Sequence, residues 1–296
     1  MSFPKKNKFI FGSAGFGMPE YGYSSLRKAS HFDCYLKHIY EIGLRHIDTA
    51  PSYGHSENTI GQYHKNSDRK FNIWTKVDGL NVNSHFTMDK VLKSIKESKK
   101  RLNVDEIECL YLHQNDIDII EDKFVQNALK EIKLCGLVKK VGVSIYNPLE
   151  LESALFVEDF DIIQLPVSVA NTHLYNIANK HNRKKILVAR SIFLQGTLIN
   201  IEKKRKFLNY YDEIFKMVKI LKELAYSHEV DYLGMLLSYV NSLEGIEHII
   251  ISSKNKTNLN KILKNSKLKI NKELKLKINE ISENQNDWTN PRNWLT

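Results

Sequence analysis

Cysteine is scarce in this chain of 296 residues: Cys34, Cys109 and Cys135 are three in number and widely spaced. They form no CxxC pair and no close His/Cys cluster, so nothing suggests a zinc site. A reducing cytoplasm is the natural compartment for such a chain. Arginine is scarce too, at 8 of the 44 basic residues. A net charge of +10 invites a nucleic-acid partner, but the lysines are dispersed. The planar fork that suits phosphates and base edges is the one in short supply, so no nucleic acid is expected. No run of about 18 apolar residues occurs, and no membrane span is expected. Lys5, Lys6 and Lys8 ahead of FIFGSAGFGM imitate a signal peptide, but three glycines interrupt the run and Pro19 ends it. No clear cleavage segment follows, and a first strand running into a Gly-rich loop fits better. Linkers, composition shifts and internal repeats are also missing, which leaves residues 1–296 as one domain.

What is present is alternation. Short β-rich runs at 8–12, 44–48, 71–76, 108–113, 138–144, 161–165, 185–190 and 247–251 are separated by segments of helical spacing. Residues 88–102 place Leu92, Ile95, Lys99 and Leu102 on one stripe, and 122–135 do the same with Phe124, Ala128, Leu129 and Ile132. Strand and helix in turn predict parallel βαβ units, and eight of them close into a (β/α)8 TIM barrel, an α/β fold. The surplus length falls in 192–246, read as two helices between strands seven and eight, and in 257–286, a terminal helix or two. The last residues, around Pro291, read as non-helical. A doubly wound sheet is the runner-up, but Gly12, Gly15 and Gly17 of GSAGFG do not match its GxGxxG phosphate loop.

Polar residues sit at the ends of these runs. Asp48 closes RHID, Tyr53 follows five residues on, Lys76 closes FNIWTK, and His113 closes CLYLH. Further along, Ser144, Gln164 and Arg190 end KKVGVS, DIIQ and ILVAR. A barrel builds its active site from residues at one end of its strands. A phenol with a pKa near 10 holds its proton firmly, and an ammonium such as Lys76 lowers that pKa. Asp48 can balance the ammonium, and His113 can orient a carbonyl oxygen towards Tyr53. Such a set protonates a developing alkoxide while hydride arrives from a nicotinamide, since no side chain donates hydride. Ser144 and Gln164 suit a carboxamide, and Arg190 could stack on a ring. Taken singly each has a plainer reading: Asp48 a turn cap, His113 a packed histidine, Ser144 and Gln164 structural polar groups. The joint pattern, in order and at matching strand ends, favours function.

The stretch GLRHIDTAPSYGHSENTIG (43–61), with its DTAxxYGxSE core at 48–57, resembles the signature of the aldo-keto reductase superfamily. So do IWTK, LNVDEIECLYLH (102–113), GLVKKVGVS (136–144) and ARSIFLQGTL (189–198), in order over about residues 8–265. The resemblance implies a β/α barrel, reduction of a small-molecule aldehyde or ketone to an alcohol, and NADPH more often than NADH. It implies Asp48, Tyr53, Lys76 and His113 as catalytic tetrad. For the cofactor it implies Gly12, Ser13, Asp48, Ser144, Gln164, Arg190, Ser191, Phe193, Gly196, Ser253, Lys254 and Asn255, with Ser253 to Asn255 at an adenosine 2′-phosphate. A monomer is compatible with it.

Four positions depart from the pattern: Ile145 stands where many members have Asn, Arg190 where an aromatic is common, and Lys261 and Ile262 where an acidic residue and Asn close the cofactor loop. GVSIY (142–146) with ARSIFLQG (189–196) resembles members found beside bacterial surface-polysaccharide genes, which implies a sugar-derived or nucleotide-sugar carbonyl. The alternative is a cofactor-binding regulatory or accessory protein on the same barrel with little turnover. Tyr63, Tyr111 and Tyr210/Tyr211 read as helix-face, strand or surface aromatics. A tail carrying Trp288 and Trp294 either folds over the barrel mouth or packs on the outer helices.

Overall fold

The computed structural model describes residues 8–18, 29–113, 116–181, 184–202, 209–253, 255–283 and 287–294. Its strands are β1 (Phe9–Gly12), β2 (His46–Asp48), β3 (Asn72–Val77), β4 (Ile107–Leu112), β5 (Val138–Ser144), β6 (Ile162–Pro166), β7 (Ile186–Arg190) and β8 (Ile246–Ile251). They pair in parallel, each with its sequence neighbours, and β8 closes on β1. The predicted barrel is therefore the fold, and the helices of the chain lie outside it.

Several strand ends differ from expectation, most by one residue, and two of them bear on the site. β2 starts at His46 rather than 44, because Gly43 turns left-handed (φ 98°) and the Leu44 N–H still donates to the Ile39 carbonyl at 3.2 Å. The chain is leaving the helix Ala29–Glu41 at that point. β4 ends at Leu112, and His113 sits one residue beyond it, its N–H donating to the Val77 carbonyl at 2.8 Å. The helical stripes hold at Ile95, Leu102, Ala128, Leu129 and Ile132 and miss at Leu92, Lys99 and Phe124. Helix Thr87–Leu102 buries Val91, Ile95, Ser98 and Leu102 and leaves Leu92 exposed and Lys99 half-buried. Helix Lys123–Leu134 buries Val125, Ala128, Leu129 and Ile132 and leaves Phe124 exposed.

Between β7 and β8 lie helices Tyr211–Ser227 and Tyr232–Asn241, and after β8 come Lys256–Asn265 and Lys272–Ser282. Expected to be non-helical, the described tail residues carry no α-helix. They form two 3-10 turns, Asp287–Thr289 and Pro291–Asn293, with Trp288 and Trp294 buried. The Trp294 indole donates to the Trp288 carbonyl at 2.6 Å, and the Asn171 amide donates to Thr289 Oγ1 at 2.7 Å.

The period of two along each strand divides its side chains between the barrel interior and the helical layer. Ile10, Trp74, Cys109, Tyr111, Ile162 and Val188 fill the interior as a cluster of their own. Tyr111 is thus a strand aromatic of β4 that faces the barrel's inner core. One step of two beyond these residues, at the C-terminal ends, stand Gly12, Lys76, Gln164 and Arg190. Register brings them level with Asp48 and Ser144: Gly12 pairs with Asp48, and Ser144 with Gln164. The packed interior is the floor on which the polar ends rest.

Candidate active site

Four of the strand-end residues form one hydrogen-bonded chain. Lys76 Nζ donates to Asp48 Oδ1 at 2.8 Å and to the Thr49 carbonyl at 2.8 Å. Gln164 Nε2 donates to the other Asp48 oxygen at 2.8 Å, and Ser144 Oγ donates to Gln164 Oε1 at 3.1 Å. The Lys76 and Asp48 side chains are only 1% and 6% exposed. Neither charge could be held there without the other, because an unpaired buried ion costs several kcal/mol, roughly. Expected as a separate carboxamide-binding pair, Ser144 and Gln164 are in fact continuous with the Asp48–Lys76 pair. Both line the cavity at the barrel mouth, and so does Asp48.

Tyr53 comes from the loop after β2, and a backbone contact fixes that loop. A Cβ on Gly17 would overlap the Tyr53 carbonyl oxygen, and one on Gly54 (φ 56°) would overlap the Gly17 carbonyl. The glycines after β1 therefore let the Tyr53 turn close against them. Lys76 Nζ lies 4.9 Å from the centre of the Tyr53 ring. Burial, then the Asp48 carboxylate and Tyr146, nevertheless hold the phenol above its ordinary 10, and Arg190 pulls the other way. The expectation of a lowered phenol is thus met in the position of the ammonium and reversed in the balance of the surroundings. The His113 ring stands edge-on to Tyr53, with centroids 6.0 Å apart at 86°. His113 Nδ1 lies 3.2 Å from Asp78 Oδ2 and 3.3 Å from Ser52 Oγ. That hydrogen bond holds the Asp78 carboxyl below the usual range.

The cavity has a volume of about 990 Å³. That is at the top of the range for small-molecule sites and leaves room for a dinucleotide beside a substrate. Gly12, Arg190, Ser191, Phe193, Gly196, Ser253 and Asn255 line it. Ser191, Leu194, Gln195 and Gly196 all have positive φ, so the segment after β7 coils tightly at the rim. Asn255 caps helix Lys256–Asn265 by accepting from the Asn258 N–H at 2.8 Å, and Asn258 also lines the cavity. The residues present fit a nicotinamide dinucleotide: an amide-and-hydroxyl pair at the floor and a helix N-terminus at the rim.

Some expectations fall elsewhere. Ser13 is fully buried beside the cavity wall, its Oγ donating to the Asp48 carbonyl at 2.9 Å and accepting from Ser56 Oγ at 2.7 Å. Lys254 lies outside the described residues. Arg190 stacks on a ring within the protein: its guanidinium carbon is 3.9 Å from the centre of Tyr146, and Nη2 donates to the Ile145 carbonyl at 2.8 Å. The Ile145 side chain turns into the main core. The tail takes the first of its two expected courses in one respect, since Arg292 lines the cavity. Sequence reasoning missed Arg292, Tyr146 and Asp78; for Tyr146 the signal was its position two residues past a strand end. Among the described residues, no group of three or more His, Cys, Asp or Glu is placed to hold a metal ion.

The Aldo/keto reductase family profile matches residues 8–283. Among curated proteins, a D-threo-aldose 1-dehydrogenase of Pseudomonas sp is 25% identical over 271 residues, covering 74% of this chain and 80% of its own. A D-arabinose 1-dehydrogenase of Saccharomyces cerevisiae is 25% identical over 229 residues, 70% of this chain and 68% of its own. Among solved structures, an aldo-keto reductase from Bacillus halodurans in its holo form superposes with a TM-score of 0.75 at 18% identity, covering 93% of this chain and 92% of its own. That last likeness concerns the fold. With a family match spanning nearly the whole barrel, the chain belongs to the aldo/keto reductase family of NAD(P)H-dependent oxidoreductases.

Proposed function

We propose that this protein reduces an aldehyde or ketone to the alcohol with NADPH, with Tyr53 as the proton donor. The observation that carries the reading is the meeting of Tyr53, His113 and the buried Asp48–Lys76 pair at one cavity. His113 at the mouth orients the carbonyl oxygen towards the Tyr53 hydroxyl. When bound, the nicotinamide supplies hydride to the carbonyl carbon. The oxygen takes up negative charge as that bond forms, and the Tyr53 O–H bond breaks to give it a proton. A phenol held above 10 stays protonated through neutral pH and yields only to a strongly basic developing alkoxide. Lys76 then stabilises the phenolate left behind, and Asp48 keeps the ammonium in place. Ser144 and Gln164 would hold the carboxamide, and the rim at Ser253 and Asn255 the adenosine end; a helix N-terminus favours the 2′-phosphate of NADPH over NADH.

The names of the sugar dehydrogenases among the relatives support a sugar-derived carbonyl, in keeping with a role in surface-polysaccharide synthesis in the cytoplasm. We read the barrel and its tail as one domain. Tyr53→Phe keeps the ring and removes the proton, and kcat should fall by roughly 10²–10⁴ with cofactor affinity retained. Full NADPH-dependent turnover in that variant would refute the assignment. The raised phenol also fits the second reading, an accessory protein with little turnover. Tight NADPH binding without reduction of any aldehyde or ketone in a broad panel would favour it.

A further inference from the structure

His113 is held at the cavity mouth by one of its two nitrogens. Nδ1 lies 3.2 Å from Asp78 Oδ2 and 3.3 Å from Ser52 Oγ, while Nε2 makes no hydrogen bond among the described residues. Ser52 and His113 line the cavity, and Asp78, one residue past the end of β3, does not. The carboxylate therefore stands behind the ring and reaches the site only through it. The titratable groups that meet the ring are Asp78 and, edge-on with centroids 6.0 Å apart, Tyr53. Beyond Tyr53 come Lys76, 4.9 Å from that ring's centre, and its partner Asp48.

The two contacts on Nδ1 are not equivalent. A hydroxyl can donate or accept, whereas an ionised carboxylate only accepts. The hydrogen bond to His113 holds the Asp78 carboxyl below the usual range, so it is ionised at neutral pH. Nδ1 must then carry a proton. A neutral imidazole has a proton on one nitrogen alone, so its Nε2 is a bare acceptor in that tautomer. A carbonyl oxygen is an acceptor as well. Nε2 can bind it only when that nitrogen is also protonated, and the ring is then a cation paired with Asp78. Such a charge suits this site. The Tyr53 phenol, held above its ordinary 10, gives up its proton late, and a cationic donor stabilises the negative oxygen until it does.

We propose that Asp78 is a positioning residue for the reaction: it keeps a proton on Nδ1 of His113, so that the ring binds a carbonyl oxygen through Nε2–H as an imidazolium and not as a neutral imidazole. The proposal rests on the carbonyl-reductase reading and assigns the protonation state of its orienting group. His113 keeps both protons throughout, and the proton taken up by the alkoxide still comes from Tyr53.

Nitrogen-15 NMR of histidine-labelled protein tests the proton's place without turnover. Among the 11 histidines, the His113 signals are those lost in His113→Gln. As pH rises, wild type should lose the Nε2 proton and keep Nδ1–H. In Asp78→Asn, whose amide can donate to a bare Nδ1, the proton should leave Nδ1 instead, and Ser52→Ala should behave as wild type. A general loss of stability would change none of these orders. Loss from Nδ1 in wild type, or an unchanged order in Asp78→Asn, would overturn the proposal. Kinetics with 4-nitrobenzaldehyde and NADPH test the consequence. Wild-type kcat/KM should fall about ten-fold or more as the Nε2 proton is lost, the scale of one charge-assisted hydrogen bond. Asp78→Asn should lower kcat about ten-fold at neutral pH with KM within about three-fold, and should lack that fall, because its neutral ring still presents Nε2–H. A wild-type rate that is flat through the His113 transition, or the same fall in Asp78→Asn, would overturn the proposal and leave the reductase reading standing. Reduction of neither 4-nitrobenzaldehyde nor any other carbonyl would count against that reading instead, and the NMR order would then decide the role of Asp78 by itself.

Discussion

Asp48 and Glu57 open and close the same ten-residue stretch, and both end as buried carboxylates paired with a cation, yet they serve opposite sides of the barrel wall. Asp48 points inward to Lys76. Glu57, on helix Ser56–Lys65, accepts from Thr75 Oγ1 at 2.6 Å, Ser98 Oγ at 3.3 Å and Arg101 Nε at 2.7 Å. Thr75 and Lys76 are consecutive on β3, so strand alternation sends one to each carboxylate. The inner pair is sealed, with Lys76 1% exposed, whereas Arg101 keeps 29% of its side chain in solvent. Similar ion pairs therefore have different jobs: the inner one sets the electrostatics beside Tyr53, and the outer one bolts the helix after the Tyr53 loop to β3 and to helix Thr87–Leu102.

That contrast breaks most sharply at Lys76. Lys76→Met removes the ammonium beside Tyr53 and strands Asp48, and kcat should fall by roughly 10²–10⁴ in a stopped assay of folded protein. A loss below ten-fold would mean that the inner pair is merely structural. Glu57→Ala should do the reverse. It leaves Thr75 and Ser98 without their acceptor and Arg101 without its carboxylate, costing about 3 kcal/mol, the lower end for a buried pair because Arg101 reaches solvent. Urea midpoints would record the loss, and kcat of the folded fraction should stay within about three-fold, far less than one 2 kcal/mol contact would move it. Gly17→Ala lies between the two. Its Cβ would push on the Tyr53 carbonyl, so about 1–3 kcal/mol of stability and up to about 10² in kcat should go together. A Gly17→Ala enzyme with normal kcat would show that the loop can shift without moving the phenol.

Much of this wall could be read in the sequence, and the reason is local. The site's strand ends were legible because a polar residue closes or directly follows the β run, as at Asp48, Lys76, His113, Ser144 and Arg190, and parity then assigns Lys76 and Trp74 to one face. Glu57 was visible only as a letter of a motif: its partners Ser98 and Arg101 lie 41 and 44 residues away on another helix, and helical spacing does not say which helices touch. Ser13 misled for the opposite reason. It stands next to a cavity residue, Gly12, but the chain turns at that point and buries its hydroxyl under Asp48. Arg292 gave no signal because the tail's course depends on two tryptophans finding the core, a tertiary event without a period. Leu92 and Phe124 show the limit of stripe reading, where one residue of error moves a side chain from the core to water.

The finest test of inner against outer is pH, because each layer holds a buried histidine that burial keeps neutral. His46, on β2 at the barrel floor, accepts at Nδ1 from the Trp74 indole at 3.1 Å. His64, in the helical layer, accepts at Nε2 from the Phe71 N–H at 3.1 Å, which leaves Nδ1 to donate to the Leu102 carbonyl at 2.8 Å. A proton on either accepting nitrogen would face a donor. Burial first lowers both from 6.5 to about 4, with nearby His248 adding to the effect at His46. The unfolded chain therefore binds more protons than the folded one between about 6.5 and about 4. Stability must fall as pH drops through that window and level off below it, by up to about 3 kcal/mol for each histidine. Urea midpoints at stepped pH would trace the slope. His64→Gln, whose amide can both accept from Phe71 and donate to Leu102, should halve the slope while leaving the inner share intact. A slope unchanged in His64→Gln would assign the whole acid response to the barrel floor, and the two layers would then differ in their titration as well as in their ion pairs.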